Sequence, residues 1–268
     1  MDVNQIIGYI LAIIVGISLG LIGSGGSILT VPILVYIMAV NPVIATAYSL
    51  FIVGSTALVG GIQNALLKKV DFKTVLIFGI PSIVAVYLTR AYLVPMIPET
   101  IAEIGGFAIT KSIALMLLFA VVMIMASISM IRPSKNVATG EQPMHYNYPM
   151  ILLEGTLVGV LTGLVGAGGG FLIIPALVLL AKMPMKLAVG TSLFIIAAKS
   201  LIGFIGDVQT TPNLDWTLLL TFTGFSVIGI FIGIALAKKI DGAKLKTAFG
   251  WFVLLMGIYI IVKETFLK

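Results

Sequence analysis

The chain is a succession of ten apolar segments separated by short polar breaks. Because the apolar runs are continuous, they indicate α-helices and not the alternating strands of an outer-membrane barrel. Six of them, the third to fifth of each group of five, approach or exceed the ~20 residues that cross about 30 Å of hydrocarbon. The ten segments cover residues 6–22, 27–40, 43–66, 74–94, 108–131, 149–165, 171–181, 187–206, 216–237 and 247–262.

The second segment of each group is too short to span a membrane. As helices, residues 27–40 and 171–181 reach only roughly 15–21 Å at 1.5 Å per residue, so each is expected to stop inside the membrane or to lie steeply tilted. The pattern predicts a first membrane repeat at 1–131, a cytoplasmic linker at 132–148 and a second membrane repeat at 149–268.

The two halves resemble each other at an offset of 143 residues, which places Gly23 on Gly166. Apolar helices match by chance, so the leucine matches carry little weight, whereas glycines and prolines at one common offset indicate a duplication. The matched pairs include Gly16/Gly159, Gly20/Gly163, Gly25/Gly168, Gly26/Gly169, Pro32/Pro175, Ser49/Ser192 and Gly60/Gly203.

Loop charge indicates that the two halves have opposite orientations. The loop at 68–73 holds three lysines and the equivalent stretch at 207–215 holds none, whereas 95–107 is acidic and its equivalent at 238–246 holds four lysines. Since cytoplasmic loops collect Lys and Arg, equivalent loops lie on opposite sides of the membrane. The predicted fold is therefore an all-α polytopic membrane protein with two inverted-topology repeats of about five helical segments. In secondary transporters of this architecture, substrate binds near the midplane between broken helices.

Composition narrows the classes of function. Hydrophobic residues make up 60% of the 268 residues and charged residues 10%, against about 25% charged in soluble domains, so a soluble protein is excluded. There is no cysteine and one histidine, His145, so no metal or other cofactor is predicted. No basic cluster with interleaved aromatics predicts nucleic-acid binding. The predicted partner is a lipid bilayer, and the glycine-rich faces also suit a homodimer.

Two glycine-rich breaks, at 23–27 and 166–170, are the sharpest local features. Glycine permits the positive φ of a tight elbow, and the helix that follows presents free N–H groups and a positive dipole end to an anion. Irregular backbone at membrane depth must be buried in protein or line a watery cavity, so the two breaks are expected to share one cavity. Close helix packing is the alternative interpretation, and it suits the GxxxG patterns at 16–20 and 159–163.

Lys199 lies well inside an apolar segment, where a charge costs ~2.5–3.5 kcal/mol on insertion scales. In one interpretation it neutralises a bound anion. In the others it pairs with an intramembrane acid such as Asp207 or Glu154, or extends to the interface. Asp207 is two helical turns away, too far for a direct pair on the same helix. Arg90, near the end of its segment, is expected to reach the interface.

Hydroxyl and amide groups near the breaks complete the predicted anion site. Each can donate to an oxyanion, although a hydrogen bond to a helix carbonyl one turn back is an alternative role for any of them. No catalytic or metal-binding residue is predicted. The predicted substrate-binding residues are Ser24, Gly25, Gly26, Ser27, Ser49, Asn64, Gly168, Gly169, Gly170, Thr191, Ser192 and Lys199.

A motif that occurs twice gives the chain a family resemblance. It comprises Gly23-Ser24-Gly25-Gly26, Pro32, Asn41-Pro42, Ala45 and Ser49, repeated as Gly166-Ala167-Gly168-Gly169-Gly170, Pro175, Met183-Pro184 and Ala188-Val189-Gly190-Thr191-Ser192-Leu193. This pattern resembles the TauE/SafE family of sulfite exporter-like proteins, whose loop motif is similar to Val70-Asp71-Phe72 and Leu214-Asp215-Trp216. The resemblance implies an inner-membrane permease for sulfite, sulfoacetate or other organosulfonates that works without an ATPase subunit.

Three positions depart from the family pattern. Ser24 and Ser27 replace a small apolar residue and a third glycine, and Lys199 stands where a neutral polar residue is expected. These departures leave the identity of the anion open. The predicted function is a secondary transporter, in the direction of export, for small sulfur-containing anions. A passive anion channel and a permease for another small anion, such as a carboxylate, are the alternatives. An intramembrane enzyme is disfavoured because no nucleophile–base pair or acid/His cluster is present.

Overall fold

A computed structural model describes residues 3–23, 26–104, 107–131, 148–179, 183–210, 214–237 and 242–266. Ten helices follow one another in these residues, and they confirm the ten predicted segments, with ends that differ by a few residues. They are α1 (Val3–Ile22), α2 (Gly26–Ile37), α3 (Pro42–Leu66), α4 (Phe72–Met96), α5 (Lys111–Ile131), α6 (Tyr148–Val165), α7 (Gly170–Leu179), α8 (Met185–Thr210), α9 (Trp216–Leu236) and α10 (Gly242–Phe266). The predicted linker, except for Tyr148, lies outside the described residues.

Six helices are long and apolar enough to cross a membrane, namely α1, α3, α4, α5, α8 from Leu187 onward, and α9. Five of them coincide with predicted spans, and the sixth is α1. Large apolar side chains point outward from these helices, as shown by Leu76, which is 60% exposed, and Leu220, which is 59% exposed. Such surfaces suit lipid and would be unfavourable in water. The short helices α2 and α7 reach only about 18 and 15 Å.

Both loop motifs around an aspartate are helix N-caps. Asp71 accepts a hydrogen bond from the N–H of Lys73 at 3.1 Å and so begins α4. Asp215 accepts one from the N–H of Leu218 at 2.9 Å and so begins α9. In each case the carboxylate satisfies an N–H that has no partner within the helix.

Small residues bring two pairs of parallel helices into close contact. Along α1 and α9, Gly16 and Gly20 lie against Gly229 and Gly233, so that a side chain on any of them would meet the opposite backbone. Along α4 and α6, Gly159 and Gly163 lie against Ser82 and Thr89. The packing interpretation of both GxxxG patterns is therefore confirmed.

The third helices of the two halves, α3 and α8, pack against each other in the centre of the molecule and run antiparallel. Gly54 faces Leu201 at one end of this contact, and Gly61 faces Phe194 at the other. The fifth helices, α5 and α10, are also antiparallel, because Gly250 lies against Met130 whereas Gly257 lies nearer Met123. The third helices of the two halves, and likewise the fifth, thus run in opposite directions. This is the arrangement that an inverted repeat produces, and it favours that prediction.

A β-hairpin between α4 and α5 replaces part of the stretch that was expected to be a plain loop. Strand β1 (Thr100–Ile104) pairs antiparallel with β2 (Phe107–Thr110), and Ile104 lies opposite Phe107. The sequence places two glycines between the strands, which is a common hairpin signal. Because the strands are short, the alternation of their apolar and polar residues is difficult to recognise in the sequence next to the long apolar helices.

Candidate functional site

Both glycine-rich breaks are elbows that join a long helix to a short one. Gly23 ends α1 with φ of +77°, and Gly166 ends α6 with φ of +72°. The N–H of each still reaches the carbonyl four residues back, at 2.7 and 2.8 Å. Gly168 and Gly169 continue the left-handed backbone at the second elbow, with φ of +62° and +60°. Only glycine adopts this conformation without strain.

Each elbow packs against the third helix of the opposite half. A Cβ on Gly23 would lie 2.7 Å from Cγ1 of Val189 on α8, and a Cβ on Gly166 would clash with Thr46 on α3. The two elbow regions also meet directly, since a Cβ on Gly168 would lie 3.3 Å from Cβ of Ser27 at the start of α2. The breaks therefore come together at the centre of the molecule. Ser24 and Gly25 lie outside the described residues.

Lys199 is fully buried on α8, and its ammonium group lies at the second elbow. Nζ donates to Oγ1 of Thr162 at 2.9 Å and lies 2.7 Å from the position that a Cβ on Gly169 would take. Among the described residues no carboxylate approaches this ammonium within 4.0 Å. The interpretations in which Lys199 pairs with Asp207 or extends to the interface are therefore wrong. A buried lysine without a carboxylate partner is costly to charge.

Arg90 does not extend to the interface, because its side chain is only 1% exposed. Nη1 donates to Oδ1 of Asp207 at 3.2 Å and to Oγ1 of Thr46 at 3.1 Å. The reason is local. Helix α4 continues past Arg90 through a wider π-helical turn at Thr89–Leu93, and Gly206 lets α8 approach that turn closely. Arg90 therefore faces α8 and is buried.

Three of the predicted polar residues are engaged in bonds within the protein. Thr191 accepts from the N–H of Asp71 at 3.0 Å, Ser192 donates to a carbonyl of its own helix at 2.8 Å, and Asn64 does the same at 2.8 Å. Ser49 differs from them. It is fully buried, and its Oγ has no hydrogen-bond partner among the described residues.

The remaining predicted residues divide between the two elbows. Ser49 lies one turn after Thr46 on the face of α3 that contacts the second elbow. Gly26 begins α2 and packs tightly on α1, whereas Gly170 begins α7. The structure thus groups Ser27, Gly168, Gly169 and Lys199 around the second elbow, and Ser49 lies on the adjoining face of α3.

Thr162 and Arg90 are the polar neighbours that sequence reasoning missed. A threonine in an apolar helix carries no distinctive signal, and the residue of the first half at the same offset is a leucine, Leu19. The signal for Arg90 was present, since Asp207 is an acid in an apolar segment and an intramembrane acid needs a partner.

A narrow cleft approaches the second elbow between α5, α6 and α7. It has no room for a water molecule in this conformation. Two of its lining residues, Thr162 and Gly169, are those that the Lys199 ammonium touches. The cleft is lined by Val122, Leu161, Thr162, Val165, Ala167, Gly169 and Leu172.

Comparison with known proteins agrees with this architecture. The profile of the family described as sulfite exporter TauE/SafE matches residues 9–260. The chain belongs to the TauE/SafE family. A probable membrane transporter protein of Xylella fastidiosa (strain 9a5c) is 31% identical over 92% of this chain and 91% of its own length. The probable membrane transporter protein YunE of Bacillus subtilis is 29% identical over 96% of this chain and 97% of its own.

No solved structure matches the chain. The family and the six apolar spans together establish a multi-pass membrane transporter of the TauE/SafE family.

Proposed function

We propose that this TauE/SafE member is a secondary transporter that exports small sulfur-containing anions, such as sulfite, sulfoacetate or other organosulfonates, across the inner membrane. The observation that carries the proposal is Lys199. This lysine is fully buried, has one hydroxyl partner and no carboxylate among the described residues, and touches the left-handed elbow at Gly169. A single uncompensated positive charge at such a place suits a solute with negative charge.

In this proposal the second elbow forms the anion-binding site. The ammonium of Lys199 supplies the charge, and the unpartnered hydroxyl of Ser49 donates one hydrogen bond. The backbone N–H of Gly168 completes the contacts, whereas the N–H of Gly169 already donates to the carbonyl of Ala167 at 2.7 Å. Because the cleft beside Thr162 has no room for water in this conformation, the site must open before an anion enters or leaves. Alternate opening to the two sides is the behaviour of a carrier.

The test is flux through purified protein in proteoliposomes. Wild type is expected to move sulfite and sulfoacetate with saturable kinetics, and Lys199→Ala to lose that flux. Lys68→Ala, which removes an exposed lysine at the end of α3, is the matched control and should transport like wild type.

Each alternative predicts a different result in the same assay. Flux of acetate or another carboxylate without flux of sulfur oxyanions would show that the substrate class is wrong. Flux that rises linearly with concentration, at a rate above carrier turnover, would show that the protein is a channel. Unchanged flux in Lys199→Ala would remove this lysine from the anion site.

A further inference from the structure

Buried polar atoms without a hydrogen-bond partner concentrate where α3, α4 and α8 meet. Of the nine such atoms among the described residues, seven lie on these three helices. Oε1 of Gln63 lies near the far end of α3, and the other six lie between the levels of Lys199 and Arg90. Unsatisfied buried polar groups are rare in folded proteins, and a cluster of them requires an explanation. The six atoms are Oγ of Ser49, Oγ of Ser82, Nε and Nη2 of Arg90, Oγ of Ser200 and Oδ2 of Asp207.

These groups form a line along the helices. Helices α4 and α8 run parallel, with Val86 against Gly203 and Arg90 against Gly206. Ser82 and Ser200 therefore lie at about the same level, next to Lys199. Arg90 and Asp207 lie at the other end, eight residues further along α8 than Lys199, which is about 12 Å at 1.5 Å per residue.

Helix α3 supplies the middle of this line. It runs antiparallel to α8, with Leu50 against Gly203, and Thr46 bonds to Arg90 at its end. Ser49 thus lies between the level of Lys199 and the level of Arg90. Donors that lack partners therefore extend from the second elbow to the guanidinium.

Only one edge of the Arg90 guanidinium is hydrogen-bonded within the fold. Nη1 contacts both Asp207 and Thr46, whereas Nε and Nη2, which form the other edge with two parallel N–H groups, have no partner. Asp207 likewise uses only Oδ1. The usual strong pair is a fork in which two N–H groups meet two carboxylate oxygens. The observed pair leaves a buried, planar, two-donor edge that matches two oxygens of a sulfite or sulfonate group.

We propose that Arg90 is a second anion-binding residue of the transport path, which takes two oxygens of the substrate on its open Nε/Nη2 edge while Nη1 stays on Asp207 and Thr46. The inference rests on the proposed function, since it assigns a further residue to the path of the same oxyanion. Lys199 and Arg90 are then successive stations, at levels of α8 that are about 12 Å apart along the helix axis. Asp207 weakens the second station, because it competes with the anion for the same cation, and so allows release.

The test compares three proteins by ligand-induced shift of Tm and by isothermal titration with sulfite and sulfoacetate. Asp207→Asn keeps Arg90 and an oxygen acceptor for Nη1 but removes the competing charge. Arg90→Gln in the Asp207→Asn background removes the cation without leaving a buried acid unpaired. We expect Asp207→Asn to bind more tightly than wild type, and the double variant to bind at least about tenfold more weakly than Asp207→Asn.

Equal Kd values for Asp207→Asn and the double variant would overturn the inference, because Arg90 would then be purely structural. If either variant does not give a single monodisperse species, Arg90→Lys is tested in place of the two variants. This substitution keeps the positive charge that pairs with Asp207 and removes the two parallel N–H groups of the guanidinium. An unchanged Kd in that variant would likewise overturn the inference. If wild type binds a carboxylate such as acetate and no sulfur oxyanion, the proposed substrate class fails. In that case, titration of Asp207→Asn and of the double variant with the carboxylate tests the role of Arg90 independently of the substrate class. If wild type binds neither anion, both proposals fail.

Discussion

Replacement of Lys199 by methionine, which has a similar length and no charge, should stabilise the protein and weaken anion binding together. The buried ammonium has one partner, the Thr162 hydroxyl at 2.9 Å. A lysine at the middle of a membrane helix costs ~2.5–3.5 kcal/mol, and a hydrogen bond from a charged group returns about 1.5–3 kcal/mol. The balance favours methionine by about 1 kcal/mol, which corresponds to a rise in Tm of about 2–4 °C for a chain of this size.

The assay is thermal unfolding in detergent with and without sulfite or sulfoacetate. The wild-type Tm should rise with ligand, because an anion that binds only the folded state stabilises it. The Lys199→Met protein should start higher and show a smaller rise, because only Arg90 is left to bind the anion. Lys111→Met is the control, since Lys111 is also buried, at 6% exposure, but lies at the start of α5. A lower Tm with an intact ligand response in Lys199→Met would refute the reasoning and make this lysine a structural group.

Two further predictions concern packing and the polar residues around the elbows. Gly16→Ala should lower Tm by the equivalent of about 1–3 kcal/mol, because its Cβ would meet the Ser226 carbonyl on α9. Gly224→Ala, where a Cβ meets nothing within 4 Å, should leave Tm unchanged or slightly raised, and equal effects of the two would show that α1 and α9 are not in close contact. Thr191→Val should cost about 1 kcal/mol by removing the acceptor for the Asp71 N–H while the anion Kd stays the same. A weakened Kd would instead place this hydroxyl on the substrate.

Backbone organisation follows from the sequence because it depends on local properties. A continuous apolar run predicts that a helix forms there, and Gly23 and Gly166 mark the two elbows, where the backbone adopts the left-handed conformation that glycine favours. The residues at which the helices end are harder to predict. Helix α4 extends to Met96 through a π-helical turn, and no local pattern predicts such a turn.

The state of each polar side chain does not follow from the sequence. Thr191 has its partner 120 residues away at Asp71, so its engagement depends on how the two halves pack. Ser49 and Ser192 match at the repeat offset, but one is unpartnered and the other bonds to its own helix. A repeat therefore predicts where hydroxyls lie, whereas the contacts of the assembled fold decide which of them are available to a ligand.

The two halves share a backbone pattern, but their buried charge is unequal, and under the proposed function this inequality would determine where an anion is held. At the repeat offset, Lys199 corresponds to Thr56 and Asp207 to Asn64. The charged position in the second half thus corresponds to a neutral one in the first. Arg90 comes from the first half, but its guanidinium bonds to Asp207 of the second. Under the proposed function, this charge places the anion nearer the second elbow, and the residues that select it would lie along α8 and the end of α4.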